Sequence, residues 1–85
     1  MSYMITYVPS AAKAIRKLDR STARRLLDAI ESLASDPRPP GSIQLKGGSG
    51  EFRIRVGDYR VVYGIHHDEL VVLVLRVGHR REVYR

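Results

Sequence analysis

A chain of 85 residues has room for one small domain, assigned to residues 1–85, and its 44% hydrophobic content excludes an intrinsically disordered chain. It has no cysteine, which rules out a disulfide framework and a thiolate zinc site, and no stretch approaches the roughly 18 apolar residues of a membrane span. The formal net charge of +6 favours polyanionic partners, either nucleic acid or an acidic protein. Of the 15 basic residues only Lys13, Lys17 and Lys46 are lysines. The rest are arginines, whose planar fork of donors matches phosphate oxygens in pairs.

Met1 to Thr6 lacks a basic region followed by a long apolar run, so a cytoplasmic location without membrane association is expected. Tyr3 to Val8 alternates loosely among β-branched and aromatic residues and predicts a first strand, ended by Pro9-Ser10. Ser10 is the predicted cap of a short helix in which Ala11, Ala14, Ile15 and Leu18 make an apolar stripe. Asp19 or Ser21 caps a second helix, where Ala23, Leu26, Leu27, Ile30, Leu33 and Ala34 keep the same period until Pro37 closes it. Two amphipathic helices with almost no linker make a helical hairpin whose stripes need a sheet to cover. Arg38 to Gly50 then reads as a loop interrupted by the apolar pair Ile43 and Leu45. Its glycine run is not a phosphate-binding P-loop, because the Gly-Lys-Ser/Thr ending and the following helix are missing.

From Phe52 to Val56 the side chains alternate, so Phe52, Ile54 and Val56 share one face while Arg53 and Arg55 share the other. Gly57-Asp58 predicts a two-residue hairpin turn. The register follows: Val56 opposes Tyr59, Arg55 opposes Arg60, Ile54 opposes Val61, Arg53 opposes Val62 and Phe52 opposes Tyr63. That pairing sends Phe52, Ile54, Val56, Tyr59, Val61 and Tyr63 to the core and leaves Arg53, Arg55 and Arg60 together on the exposed face. Like charges facing each other across strands are unfavourable on a scale of about 0.2–1 kcal/mol per pair, which an anionic ligand offsets.

His66 to Glu69 makes another turn, and Leu70 to Leu75 is apolar on both faces, as an interior strand is. With the first strand pairing on its free side, the expected architecture is α+β. It is a small four-stranded, mainly antiparallel sheet with the N-terminal helical hairpin on one face, in the order β-α-α-β-β-β. Gly78 is expected to release the chain from the sheet, so that His79, Arg80, Arg81 and Tyr84 gather at the end of the interior strand. His66, His67 and His79 have no metal-ligand spacing, the serines are explained as caps or loop residues, and the acids are scattered. No metal or other cofactor is expected.

The order strand, two helices, Leu-Lys-Gly loop, arginine hairpin and interior strand resembles the RelE-type toxins of bacterial toxin–antitoxin systems. The most specific parts are Gly57-Asp58-Tyr59-Arg60-Val61-Val62-Tyr63 and Val77-Gly78-His79-Arg80-Arg81-Glu82-Val83-Tyr84. The resemblance implies a ribosome-dependent endoribonuclease that cuts mRNA in the ribosomal A site. It also implies a cognate acidic antitoxin that silences it, with promoter DNA bound only through the antitoxin complex. Carried over by position, it implies catalytic roles for Arg53, Arg55, Arg60, Arg80 and Tyr84, and RNA contacts for Lys46, His79, Arg81 and Arg85. The chain departs from the best-known members in carrying arginine rather than lysine at Arg53 and Arg55. A guanidinium effectively never deprotonates, so Arg55 is a poor general base, and that role falls to His79, to Tyr84 or to nothing in this protein. The related ParE-type toxins, which share the fold and bind DNA gyrase, and a purely regulatory antitoxin-binding member are the alternatives.

Overall fold

The computed structural model describes residues 2–46 and 50–79. Its elements, in chain order, are β1 (Met4–Tyr7), α1 (Pro9–Arg16), α2 (Arg20–Ser32), β2 (Ile43–Gln44), β3 (Glu51–Val56), β4 (Tyr59–His66) and β5 (Val71–His79). The strands form one five-stranded sheet in the order β1-β5-β4-β3-β2, with β1 parallel to β5 and every other neighbour antiparallel. The α+β class and the interior place of β5 match the sequence reading. The strand count does not. Ile43 and Gln44 pair with Arg53 and Phe52 as a fifth strand, too short for any side-chain alternation to announce it.

Both helix starts follow from local chemistry. At α1 the cap position is Val8, with no side-chain cap and with Pro9 just inside the helix, so Ser10 is not the cap. Proline suits that position because its missing N–H had no partner to lose. At α2 the cap is Asp19, whose carboxylate accepts from the Thr22 backbone N–H at 3.1 Å and from the Ser21 hydroxyl at 2.8 Å. Hydrogen bonds from Thr22 and then Ser21 hold that carboxyl down at about 2. The two helices bury Ala11, Ile15, Leu26, Ile30 and Leu33 against Phe52, Ile54, Val61, Tyr63, Val72, Val74 and Val77 of the sheet. Leu27, counted in the predicted stripe, faces out at 37% exposure.

In β4 and β5 the pairing runs evenly from Tyr59 and His79 to Val62 and Arg76, then breaks, so that Tyr63 meets Val74. Leu75 is the extra residue, a β-bulge. Without it, the alternation that buries Val72 and Val74 would bury Arg76; with it, Val77 is buried instead and Arg76 is exposed. Gly78 does not release the chain: it stays in β5 opposite Arg60, and the strand continues to His79.

Tyr63, fully buried at the centre of the sheet, ties the loop after α2 to the core. Its hydroxyl donates to the Pro37 carbonyl oxygen at 2.6 Å, its ring stacks on Phe52 with centroids 6.1 Å apart, and the Arg38 guanidinium lies 5.0 Å above the Phe52 ring. Burial pushes the Tyr63 phenol up to about 12. A raised folded-state value means the neutral phenol stabilises the fold below the ordinary value of 10.0, and that contribution is lost as pH climbs towards about 12. Tyr63→Phe is therefore expected to cost about 0.5–1.5 kcal/mol near neutrality and to reduce the loss of stability between about pH 10 and 12. Urea unfolding of parent and variant across that range measures both effects.

Candidate functional site

The face of the sheet turned away from the helices is set by parity from the β3–β4 register, which matches the sequence-derived pairing at every position from Phe52 to Val56. Directly opposed residues share a face, so Arg55, Arg60 and Gly78 form one row across β3, β4 and β5. Ile43, Arg53, Val62 and Arg76 form the next row, across β2 to β5. Glu51, Gly64, Leu73 and Thr6 form a third. Arg60 thus has Arg55 directly opposite it and both Arg53 and Arg76 as diagonal neighbours, at Cα separations of about 7–8 Å that long side chains span.

Within this cluster the arginines differ. Arg55 is exposed and Arg53 half-buried, whereas Arg60 is only 7% exposed. The expectation of a freely exposed Arg60 is corrected here. It lies on an interior strand, paired with Arg55 on one side and Gly78 on the other. A guanidinium held at low exposure keeps a charge that water screens weakly, so its field on a nearby anion is strong. Arg55 is anchored at the turn, its Nε donating to the Gly57 carbonyl oxygen at 3.2 Å. Beside it, a groove of about 340 Å³ opens between the Pro39-Pro40 loop and the edge of β3 that β2 leaves uncovered.

The turn itself is constrained. Gly57 has φ +61° and Asp58 does not share the positive φ, as in a type II′ turn whose first central residue is glycine. A Cβ built on Gly57 would sit 3.2 Å from Arg25 Nη2, so α2 presses a guanidinium against the turn.

The other sequence candidates divide. His79 pairs with Tyr59, their rings edge to face at 5.7 Å, and parity puts both on the helix side of the sheet. The imidazole is not brought to the arginine face. The prediction that Gly78 ends the strand caused that error, since one further paired residue reverses the side chain's direction. Lys46 follows β2 at the Glu51 end of β3, where the Leu45 N–H donates to the Glu51 carbonyl oxygen, away from the Arg55–Arg60 row. Arg80, Arg81, Tyr84 and Arg85 lie outside the described residues. Arg76 is the cation that the sequence reading did not assign to this face. Among the described residues no group of three or more His, Cys, Asp or Glu side chains could hold a metal ion, and no helix is long and apolar enough to cross a membrane.

The described residues thus form a small mixed sheet backed by a helical hairpin, with arginines on the face turned away from the helices. The chain belongs to the family described as the ParE toxin of type II toxin–antitoxin systems, parDE, which it matches over residues 5–84. It is similar to Toxin RelG of Mycobacterium tuberculosis, at 29% identity over 86 residues covering 100% of this chain and 99% of that protein. Among solved structures, the archaeal RelE–RelB complex from Pyrococcus horikoshii contains a chain that superposes with a TM-score of 0.84 at 29% identity, covering 96% of this chain and 99% of that one. The isolated E. coli RelE toxin gives a TM-score of 0.81 at 29% identity, with coverages of 98% and 92%. The protein is a RelE-type toxin of a type II toxin–antitoxin system.

Gly57→Ala tests the turn geometry. The added methyl meets both a strained φ and the Arg25 guanidinium, so a loss of about 1 kcal/mol or more is expected. In Gly57→Ala with Arg25→Ala the contact term is removed and only the backbone term remains. Thermal melts of the single and double variants separate the two.

Proposed function

We propose that this toxin is a ribosome-dependent mRNA endoribonuclease that cuts the codon in the ribosomal A site. The observation that carries the proposal is the convergence of Arg53 and Arg55 around a sparingly exposed Arg60 on the face opposite the helices. In the proposed reaction the ribose 2′-oxygen loses its proton and bonds to the adjacent phosphorus. The bond from phosphorus to the 5′-oxygen breaks, that oxygen takes up a proton, and a cyclic phosphate and a 5′-hydroxyl remain. Charge builds on the phosphoryl oxygens on the way, and preorganised guanidinium groups stabilise that charge more than they stabilise the starting diester. Arg53, Arg55 and Arg60 are assigned this role. Arg80 and Tyr84 complete the proposed catalytic set, with Lys46, Arg81 and Arg85 contributing to RNA binding. His79 is dropped as general base because parity directs it to the helix side.

The proposed partner is a cognate acidic antitoxin that covers the arginine face and the helices, acts in the cytoplasm, and carries the toxin to promoter DNA. Solved relatives occur as RelE–RelB complexes, which supports an antitoxin. So does the groove between α1 and α2, where Ile15, Leu18 and Leu27 lie between Arg16, Arg20 and Arg24. An amphipathic acidic helix matches that pattern of apolar floor and basic rim. The family's ParE description favours a second reading, gyrase binding without RNA cleavage.

Mapping mRNA 5′ ends on stalled ribosomes after brief expression separates the two. New ends inside A-site codons are expected, whereas growth arrest with intact mRNA and gyrase-linked DNA breaks would overturn the nuclease in favour of the second reading. Arg60→Met, which keeps an unbranched stem for its neighbours to pack on, is expected to slow single-turnover cleavage by about 10²-fold or more. A folded Arg60→Met that cuts at the parent rate would refute the site.

A further inference from the structure

Arg76 joins Arg53, Arg55 and Arg60 on the face turned away from the helices. Arg76 is exposed, directly opposite Val62, which in turn is directly opposite Arg53. It reaches that position only because of the bulge at Leu75, which reverses the alternation established by Val72 and Val74. Bulges beside functional sites commonly re-aim a side chain in this way. Two residues further along β5, Gly78 pairs with Arg60 and so places no β5 side chain directly opposite it.

We infer that Arg76 is an RNA-backbone contact that holds a phosphodiester next to the scissile one. The inference rests on the proposed nuclease function and deepens it. Arg55 and Arg60 share one row, and Arg76 stands in the next, two residues or about 6.6 Å along the strand. It is diagonal to Arg60 rather than opposite it. A guanidinium so displaced grips the chain beside the reacting phosphate, fixing the register of the substrate without touching the bonds that change. The carboxylate that parity assigns to the three described rows is Glu51, one row beyond Arg53 and two strands from Arg76.

A structural role competes with this one. Val62 is only 7% exposed yet stands outside the helix-side core, and the stems of Arg53 and Arg76 flank it on either side. Arg76→Met keeps the stem and removes the charge, while Arg76→Lys keeps both but loses the fork of donors.

The test is single-turnover cleavage on ribosomes programmed with a defined mRNA, titrated with toxin at several potassium concentrations. For Arg76→Met, the half-saturating toxin concentration is expected to rise about tenfold while the maximal rate stays within about twofold of the parent. The dependence of log affinity on log salt is expected to flatten by about 0.7, the share of one phosphate contact on a single strand. Arg76→Lys is expected to recover most of the affinity. If the parent cuts and Arg76→Met matches it in half-saturation and salt slope, the inference is overturned while the nuclease reading stands. It is equally overturned if Arg76→Met cuts like the parent but escapes an added antitoxin, which would make Arg76 a contact for an acidic protein. If the parent itself does not cut, the nuclease reading fails and this inference fails with it.

Discussion

The pairing of β3 with β4 fixes the side of the sheet on which every later charge lies. Among the described residues the helices cover one face, so a strand residue faces either the core or the opposite side, and a slip of one residue would exchange the two sets. Such a slip would bury Arg53 and Arg55 under α2 and expose Phe52 and Ile54. The cost of burying guanidinium groups without partners, added to that of exposing an aromatic and an aliphatic core residue, exceeds the stability of a domain this small. The register is therefore held by the core, and the arginine face is its consequence.

That face is electrostatically unfavourable in isolation. Arg55 opposes Arg60, and Arg53 and Arg76 flank Arg60 diagonally, so among the described residues four like charges share two adjoining rows. The fold tolerates the arrangement because the opposite face carries a continuous apolar cluster, from Ala11 and Ile15 through Leu26, Ile30 and Leu33 to Tyr63, Val72 and Val74. Concentrating the core on one side leaves the other free to hold repelling charges, and an anion that binds there relieves repulsion as well as gaining contacts. Stability and the proposed function thus occupy opposite sides of the same strands, which makes substitutions of the exposed arginines separable from substitutions of the core.

The parts of this arrangement that depend on local rules were legible in the sequence. Phe52 to Val56 alternates cleanly and Gly57-Asp58 names its own turn, so the pairing of Arg55 with Arg60 followed without any tertiary information. The departures arose where a local pattern is silent. Two residues cannot display a period, which hid β2. A strand apolar on both faces gives no phase, so the bulge at Leu75 was invisible and Arg76 could not be assigned a side. Gly78 looked like a strand end because glycine is poor in strands, yet it stays paired opposite Arg60, and the reversed direction of His79 followed from that one misreading. The low exposure of Arg60 is a tertiary property, which no pattern in its own segment can encode.

The composition of the face also constrains how it can act. In the two rows around Arg60, the described residues are Arg55, Arg60, Gly78, Ile43, Arg53, Val62 and Arg76. None of these exchanges a proton near neutral pH, because guanidinium groups remain charged and the others do not titrate. His79 faces the helix side, while His66 and Glu51, on the arginine face, stand a row or more beyond Arg53. In the proposed reaction a base for the 2′-hydroxyl must then come from the substrate's own surroundings or from residues outside those rows. What these rows can supply is charge held in place before the reaction begins. An array of that kind gains most when the substrate is positioned by something else, since its contribution grows as geometry is fixed and vanishes when a flexible chain must be ordered at the same moment. Under the proposed function, dependence on the ribosome is the physical counterpart of a site built from arginines: the proposal has the ribosome order the RNA and the sheet face stabilise the charge that develops on it.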